Sequence, residues 1–513
     1  MSERDSDDYV RREAGILLHL TSLPGPHGIG DLGSGALGFV DFLESAGQRL
    51  WQILPITPLG HGNSPYASPS AMASNPLLIS LDLLANEGLL APEDLAGAEA
   101  FPADRVDYGP VTAFKLDKLK KAHRSFVSDA STQQRSELEA FCGKAASWLE
   151  EYALFMALKD AHNGDLWLKW ELDLVKRRSE ALDRSRQQLA ESVDFHKFLQ
   201  FQFARQWSVL RGYANSHGVR IIGDIPIFVA LDSADVWSHQ ELFHLDEQGR
   251  PTVVAGVPPD YFSRTGQRGG NPLYRWETMA QQGYQWWIER FRTTLGQVDI
   301  VRIDHFRGFE AYWEIPAQHS TAEHGQWVKG PGEAFFRAME SALGHLPVIA
   351  ENLGLITPEV EELRLKLGYP GMLVLQFAFD DGAANPYLPH NYARRSVGYT
   401  GTHDNDTTLG WFESRTPEER ERVRRYLGNN GEISWELIRL LFQSVAGMAV
   451  LPIQDVLALG TEARMNMPGQ AEGNWTWRLF PGQLTTQHAE RLREFSELYG
   501  RHTAFSSSDT VSR

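Results

Sequence analysis

The sequence has 513 residues, a formal net charge of −17 and a single cysteine, Cys142. Its length allows a large buried core in one to three domains, and its composition is that of an ordinary globular protein. The acidic charge argues against nucleic acid or an anionic membrane surface as a partner, and one cysteine excludes an intramolecular disulfide.

The N-terminus and the hydropathy pattern favour a cytoplasmic protein. Residues 1–14 form a polar, charged tail without the apolar segment of a signal peptide. No apolar run approaches the length that crosses a bilayer. We therefore expect a cytoplasmic location and no membrane partner. The sequence does not decide between a monomer and a homodimer.

Eight apolar strands, mostly separated by helices, are predicted along the chain. The strands fall at 15–20, 50–55, 219–228, 299–304, 346–351, 371–379, 397–404 and 447–455. Helical spacing of apolar residues predicts helices at 34–48, 195–215, 280–295 and 432–446, and another that begins after Thr357. Alternating strands and helices imply parallel strands, and eight such units predict a closed (β/α)8 TIM barrel.

Two insertions are predicted to interrupt the barrel. Residues 77–194 read as a helical insertion after the second strand, and 232–298 as an insertion after the third. The catalytic barrel would then comprise 1–76, 195–231 and 299–513. Within the second insertion, 256–274 has too many Gly and Pro residues for an ordered helix or strand. It reads as a lid or binding loop, with a plain connector as the alternative.

Arg302 and Asp304 stand two residues apart on the fourth strand, so they project from the same face. A guanidinium beside a carboxylate keeps the carboxylate anionic, as a nucleophile or a charge stabiliser must be. In isolation the pair would be interpreted as a structural ion pair. Acids near the ends of four other strands favour a functional interpretation, because barrel active sites lie at those ends. These acids are Asp224, Glu351, Asp404 and Asp455.

The acids suit glycoside cleavage, which uses one ionised and one protonated carboxyl group. Asp304 fits the nucleophile. Glu351 follows an apolar strand without an adjacent cation and fits the acid/base, while Asp404, preceded by His403, fits a group that holds ring hydroxyls. Metal-dependent hydrolysis is the chemical alternative. It would draw most of its ligands from the THDND stretch, because the other acids lack paired histidines.

Ordered motifs then make the family specific. They run from about residue 19 to about 475 and comprise HLTSLPGPHGIGDLG, SPYASPSAMASNPLLI, GDIPIFVALDSADVW, GVPPDYFSRTGQ, NPLYRW, VRIDHFRGF, AENLG, TGTHDNDT, MNMPG and NW. With these motifs the chain resembles the 4-α-glucanotransferases (amylomaltases, or disproportionating enzymes) of glycoside hydrolase family 77 in the α-amylase clan.

The resemblance implies transfer of α-1,4-glucan segments by a retaining double displacement, with α-1,4-glucans and maltooligosaccharides as donor and acceptor. It makes Asp304 the covalent nucleophile, Glu351 the acid/base and Asp404 the transition-state stabiliser. The chemistry needs no cofactor, and no calcium site is predicted. Substrate-binding positions implied in the same way are Arg302, His403, Asp224, Ser64, Tyr66 and Asn474, with Tyr261 and Gln267 in the loop that matches a glucan-covering one.

Two positions depart from the family pattern. Asn352 follows the acid/base where an aspartate is usual, which predicts an altered local field on Glu351 rather than loss of activity. Gly269 stands where the family's lid loop commonly carries an aromatic residue. We expect the lost stacking surface to alter the preferred chain length or to weaken cyclisation.

Three carboxylates alone do not separate transfer from hydrolysis, since both pass through the same covalent intermediate. Related amylases usually add a β-sandwich domain after the barrel, and the stretch after Asp455 is too short for one. This favours the transferase, with an α-1,4-glucan hydrolase of the same clan as the alternative. A non-catalytic glucan-binding protein is a further alternative, which would need no pair of acids.

Overall fold

The computed structural model describes residues 11–259 and 263–502, and at its centre eight parallel strands close into a barrel. Neighbouring strands in the barrel are also consecutive barrel strands along the chain, so the predicted (β/α)8 barrel is confirmed. The barrel strands are β1 (Glu13–Leu17), β2 (Leu50–Gln52), β3 (Arg220–Pro226), β6 (Ile300–Asp304), β9 (Val348–Ala350), β10 (Gly371–Val374), β11 (Ser396–Tyr399) and β12 (Met448–Pro452).

Eighteen α-helices lie within the described residues. They are α1 (Ser34–Ser45), α2 (Leu81–Asn86), α3 (Tyr108–Asp129), α4 (Thr132–Lys144), α5 (Ala146–Ala161), α6 (Leu172–Val175), α7 (Ser179–Gln188), α8 (Ala190–Ser216), α9 (Ala234–Ser238), α10 (Trp276–Gln281), α11 (Gln285–Gln297), α12 (Gly332–Leu343), α13 (Pro358–Leu367), α14 (Thr408–Glu413), α15 (Pro417–Leu427), α16 (Ile433–Gln443), α17 (Ile453–Val456) and α18 (Thr486–Leu498). In this part of the chain, none of them is long and apolar enough to span a bilayer.

Strand β6 shows how alternation places the site. Val301 and Ile303 are fully buried in the outer core, which the helices cover. Ile300 belongs to a separate apolar cluster inside the barrel. Arg302 and Asp304 alternate with the outward pair, so they face the barrel interior and its rim.

A second, four-stranded antiparallel sheet stands beside the barrel. Its order is β5–β4–β7–β8, with β4 at Val253–Val257, β5 at Gln267–Pro272, β7 at Ala311–Pro316 and β8 at Gln326–Lys329. Two of these strands follow β6, so the sheet combines segments from either side of the boundary predicted at residue 298. The alternation of strands and helices that predicted the barrel did not predict β7 or β8.

The predicted loop at 256–274 is wrong in part, because it contains strand β5. Residues Gln267–Pro272 are ordered by pairing with β4, and this pairing compensates for the low strand propensity of their glycines. The helix predicted at 280–295 is also two helices, α10 and α11. They are separated where Tyr284 takes a left-handed conformation with φ of 56°.

Most of the predicted strands extend beyond the observed ones, and the last three show why. The sixth ends at Val374 because Leu375–Phe377 turns into a 3-10 helix, and the eighth passes into α17 after Pro452. The seventh ends at Tyr399, so Asp404 lies in the following loop. The division into a barrel and two insertions stays a prediction.

Candidate active site

The centre of the site is a chain of charges on two adjacent strands. Asp224 on β3 and Arg302 on β6 are register partners, and Nη1 of Arg302 donates to both carboxylate oxygens of Asp224 at 2.8 and 2.7 Å. Nη2 of Arg302 lies 3.0 Å from Oδ1 of Asp304. Burial opposes the charge of Arg302, but the two carboxylates outweigh it and raise the arginine pKa well above its ordinary value. Arg302 is therefore a fixed cation between two acids.

Asp304 and Glu351 come from neighbouring strand ends. Ile303 pairs with Ala350 in the register of β6 and β9, which places the two following residues, Asp304 and Glu351, side by side. The side chain of Asp304 is 31% exposed, so a substrate can reach it. The expected pairing of Asp304 with Arg302 is present, although Arg302 makes its closest contacts to Asp224.

Glu351 occupies a setting that favours its protonated form. Its Oε2 accepts a hydrogen bond from the backbone N–H of His305 at 2.7 Å, and its Oε1 accepts one from Leu353 at 2.7 Å. These two hydrogen bonds and Arg302 favour the ionised form, but burial and the nearby Asp304 outweigh them and raise the pKa of Glu351 to about 7. Both acid and base forms are therefore accessible near neutral pH, as a group that exchanges a proton twice per turnover requires.

A ring pair extends the site from Asp224 towards Asp404. The Tyr66 hydroxyl donates to Oδ2 of Asp224 at 2.7 Å and lies 3.0 Å from Nε2 of His403, and the two rings stack at 5.3 Å. Burial and then Asp224 raise the pKa of Tyr66, so the phenol keeps its proton. Because that proton is donated to Asp224, Nε2 of His403 must carry the hydrogen shared with Tyr66. Asp404 Oδ1 lies 3.4 Å from the same nitrogen.

Asp404 is positioned by the loop that follows β12. Asn466 donates from Nδ2 to Oδ1 of Asp404 at 2.6 Å, and Arg464 donates to the Asp404 backbone carbonyl at 2.7 Å. Sequence reasoning singled out neither residue, although Asn466 lies in the MNMPG motif. The Asp404 side chain is 45% exposed. Part of it therefore faces solvent, while these hydrogen bonds fix its position.

Trp475 is a further residue that sequence reasoning missed. Its ring lies 5.9 Å from Tyr66 and 6.1 Å from His403, behind the ring pair. Its backbone is held at φ of 65°, an unfavourable conformation for a bulky residue. Tyr108 holds it there by donating a hydrogen bond to its carbonyl at 2.7 Å. The NW motif contained this residue, but nothing in the motif signals a left-handed backbone.

The remaining predicted residues differ in how close they come to the charged centre. Ser64 accepts a hydrogen bond from the Tyr66 backbone N–H at 3.2 Å and so supports that ring. Asn474 braces its own loop, where its Oδ1 accepts from the Met467 N–H at 2.9 Å. Tyr261 lies outside the described residues. Gln267 starts strand β5 and is exposed.

An open cleft joins the second sheet to the charged centre. It has a volume of about 250 Å³, and Gln267 and Gly269 line it together with Tyr66, Asp304 and His305. The β4–β5 hairpin is therefore a wall of the same cleft that contains Asp304. Gly269 contributes exposed backbone to this wall and no side chain.

Two predicted positions have structural surroundings that the sequence did not reveal. Asn352 donates to Glu361 at 2.7 Å and accepts from the Met372 N–H at 2.8 Å, so its side chain is directed towards α13 and β10. Asp455, expected at the rim, is instead buried, and it accepts hydrogen bonds from Thr400 and Thr408. Asp455 therefore holds the loop after β11 in place through these hydrogen bonds.

No group of three or more His, Cys, Asp and Glu residues placed to hold a metal ion occurs in the described ranges.

Comparison with known proteins gives a consistent result. A family model described as 4-alpha-glucanotransferase, of glycoside hydrolase family 77, matches residues 18–483. The 4-alpha-glucanotransferase of Thermus thermophilus is 56% identical over 495 residues, which cover 95% of this chain and 98% of that protein. A Synechocystis protein of the same name is 52% identical, covering 96% and 98%. The structure of an amylomaltase from Streptococcus agalactiae in complex with acarbose superposes with a TM-score of 0.93 at 38% identity, covering 96% of this chain and all of that one.

Proposed function

The chain belongs to the 4-alpha-glucanotransferases of glycoside hydrolase family 77, and we propose that Asp304, Glu351 and Asp404 carry out the transfer reaction. The enzyme transfers a segment of an α-1,4-glucan from a donor to an acceptor glucan or glucose. Retention of the anomeric configuration requires two displacements at the same carbon. The proposal assigns one residue to each chemical task in those two steps.

In the first displacement, Glu351 donates its proton to the glycosidic oxygen while the Asp304 carboxylate attacks the anomeric carbon. The bond to the leaving glucan breaks, that glucan departs with the proton, and a glycosyl ester forms on Asp304. In the second, ionised Glu351 takes the proton of an acceptor hydroxyl. The acceptor oxygen then displaces Asp304, which restores both carboxyl groups to their starting states.

The observation that carries this assignment is the contrast between two neighbouring acids. Asp304 contacts the Arg302 guanidinium at 3.0 Å, whereas burial and Asp304 raise the pKa of Glu351 to about 7. Asp304 thus lies against a fixed cation, whereas Glu351 takes up and releases a proton near neutral pH. Such a separation of environments is how two carboxyl groups divide nucleophilic and acid roles.

The other predicted residues position the sugar in this proposal. Asp404 and His403 bind hydroxyl groups of the sugar that reacts, and they oppose the charge that develops at its ring. Tyr66 and Asp224 fix the ring of His403 and the cation of Arg302 from the opposite side. Ser64 and Asn474 act indirectly, because each of them holds the loop in which it lies.

The β4–β5 hairpin contributes the wall nearest the solvent. Gln267 lines the cleft that contains Asp304, and we assign it, with Tyr261, to the glucan that enters there. Arg302 is placed in the site as the partner of Asp304. The donor and acceptor are α-1,4-glucans and maltooligosaccharides, and a cytoplasmic location, argued from the sequence, is part of the proposal.

Incubation with maltotriose tests the function. Transfer produces glucose and longer maltooligosaccharides with little gain in reducing ends, because each bond cleaved is replaced by another. A steady rise in reducing ends would instead identify a hydrolase. Asp304→Asn is the control variant, and unchanged turnover in it would contradict the catalytic assignment.

A further inference from the structure

A second cavity lies on the far side of the loop that carries Tyr66. Its volume is about 280 Å³, and none of the residues that line it belongs to the proposed active site. Helix α5 contributes Trp148 and Tyr152, while the end of α10 and the start of α11 contribute Gln282, Gln285 and Trp286. We call these five residues the insertion cleft, because they come from the two predicted insertions.

Polar groups in the insertion cleft have unused hydrogen-bonding capacity. The side-chain amides of Gln282 and Gln285 make no hydrogen bond to residues 11–259 or 263–502, and the same holds for the Tyr152 hydroxyl. The indole N–H groups of Trp148 and Trp286 are equally unengaged within those ranges. The two glutamines are exposed, and none of the five groups is a polar atom shielded from solvent, so a ligand can reach each of them.

The aromatic walls are held rigidly. Tyr152 and Trp286 are nearly fully buried, and the Trp286 ring packs at 5.4 Å edge-on to Trp287. Trp148 is half-buried and lies 6.2 Å from Tyr152. At the rim, the Ser147 hydroxyl donates to Glu289 at 2.9 Å and joins the two insertions. A ligand would therefore meet preformed surfaces and order few side chains.

The ionisable groups that line the cavity are mostly acidic, and two of them, Glu151 and Glu289, are paired with Arg177 and Arg292. Glu151, Asp235 and Glu289 line it, and His239 is the basic residue among its lining. The half-buried Trp148 ring, together with planar amides and carboxylates, suits a neutral saccharide, whose C–H face stacks on the ring while its hydroxyls bond to the polar groups. The volume lies near the lower end for small-molecule pockets, about 300–1,000 Å³, so it accommodates a short segment of a chain.

We propose that the insertion cleft binds a short segment of α-glucan, as a second saccharide site apart from Asp304. The saccharide class follows from the lining, and the choice of an α-glucan rests on the proposed function. The cavity and the active site share one loop: Ser70 and Met72 line the cavity, and the Ala71 N–H donates to Oδ2 of Asp235 at 2.7 Å. A long glucan bound there is kept close to the active site, which raises its effective concentration.

Binding to the full chain tests the site directly. Maltohexaose is titrated calorimetrically into Asp304→Asn, which prevents turnover, and two binding sites per chain are expected. Adding Trp148→Ala should leave one. The same number of sites in both proteins, whether one or two, overturns the proposal.

Two further variants separate loss of the site from loss of the fold. Gln285→Ala changes an exposed side chain that makes no hydrogen bond within the described residues, and it should weaken the second site by about tenfold. Phe480→Ala removes an exposed aromatic side chain that lies outside the cleft, and it should leave both sites unchanged. If Gln285→Ala binds as the parent does, the cleft is not the site.

Kinetics of the otherwise intact enzyme give an independent measure. Trp148→Ala should raise KM for soluble amylose by about fivefold or more and leave kcat unchanged. Its kinetics with maltotriose, too short to bridge both sites, should match those of the parent. Equal KM values for amylose contradict the proposal. Failure of the proposed function shows separately, as turnover of maltotriose by Asp304→Asn.

Discussion

At the scale of single residues, Asp304 and Glu351 occupy the same rim but differ in what surrounds them. Asp304 contacts a buried cation, and Glu351 accepts two backbone hydrogen bonds in a setting that still disfavours its charge. The double displacement depends on this difference. Each residue therefore has a measurable signature.

The pH profile reports on Glu351. Its pKa in the folded protein is raised to about 7, so the acid form is present below that pH and is lost as the pH rises through it. We expect kcat/KM for maltotriose to fall about tenfold per pH unit above roughly pH 7, because the free enzyme must donate a proton. Rates measured from pH 4 to 9 check this. A profile that stays flat to pH 9 contradicts the role of Glu351 as the acid.

Gly269 leaves its part of the cleft wall without a side chain, and a substitution there tests whether a stacking surface changes the products. A Cβ atom placed there would lie 3.2 Å from the Ala255 carbonyl oxygen and 3.3 Å from Oδ1 of Asn271, so a side chain fits after small shifts. Gly269→Trp should supply a stacking surface of roughly 1 kcal/mol, or about fivefold in the ratio of long to short products. Chromatography of the products measures the ratio, with Gly269→Ala as the matched control. An unchanged product profile removes the hypothesis.

At the scale of elements, the β4–β5 hairpin is the part of the site that depends most on backbone geometry. Gly266 has φ of 67°, and a Cβ atom there would lie 2.4 Å from the Val257 carbonyl oxygen. Both strands border the cleft beside Asp304. The hairpin is thus a wall of the cleft whose shape requires glycine at its turn.

Gly266→Ala should distort the hairpin and leave the barrel intact. We expect a cost of about 2 kcal/mol, confined to the hairpin, and a KM for amylose raised several-fold with a smaller change in kcat. Initial rates and thermal unfolding measure the two effects. Gly269→Ala is the control, because residue 269 does not have a positive φ. Equal KM values for the two variants would show that the turn does not shape the cleft.

The elements also show what the sequence could reveal. Apolar runs located all eight barrel strands, because each of these strands must be buried on both faces. Such runs did not locate β4, β5, β7 or β8, since the pairing of these strands depends on partners remote in sequence. Asp304 and Asp455 look alike in the sequence, each near a strand end. The partners of Asp455 are Thr400 and Thr408, and only the fold brings them together.

At the scale of the whole molecule, a buried arginine joins the first barrel strand to the helix that precedes the last one. Arg501 donates to the carbonyl oxygens of Phe442 at 2.8 Å, Ser444 at 3.1 Å and Glu13 at 3.2 Å. It joins β1 to the end of α16, next to the contact between the first and last strands. The Arg501 side chain is fully buried, and the three residues whose carbonyl oxygens it contacts are also buried.

Arg501→Ala should lower the free energy of unfolding of the whole barrel. Several buried carbonyl groups lose a charged donor, for which about 3 kcal/mol is expected. Chemical denaturation measures the loss. The control is Arg493→Ala, which also removes bonds to two backbone carbonyls but from an exposed side chain, and it should cost less than about 1 kcal/mol. Equal losses would contradict a role for Arg501 in closing the barrel.

The whole fold places Asp304 where a glucan can reach it and where it contacts the Arg302 guanidinium. The central claim is that a covalent glycosyl ester forms on this residue. Glu351→Gln tests it with α-maltotriosyl fluoride, because fluoride leaves without an acid but the ester then lacks the base that assists its release. Mass spectrometry of the digested protein should find a maltotriosyl group on the peptide that contains Asp304. An unmodified Asp304 peptide, or an adduct on another carboxylate, would contradict the account.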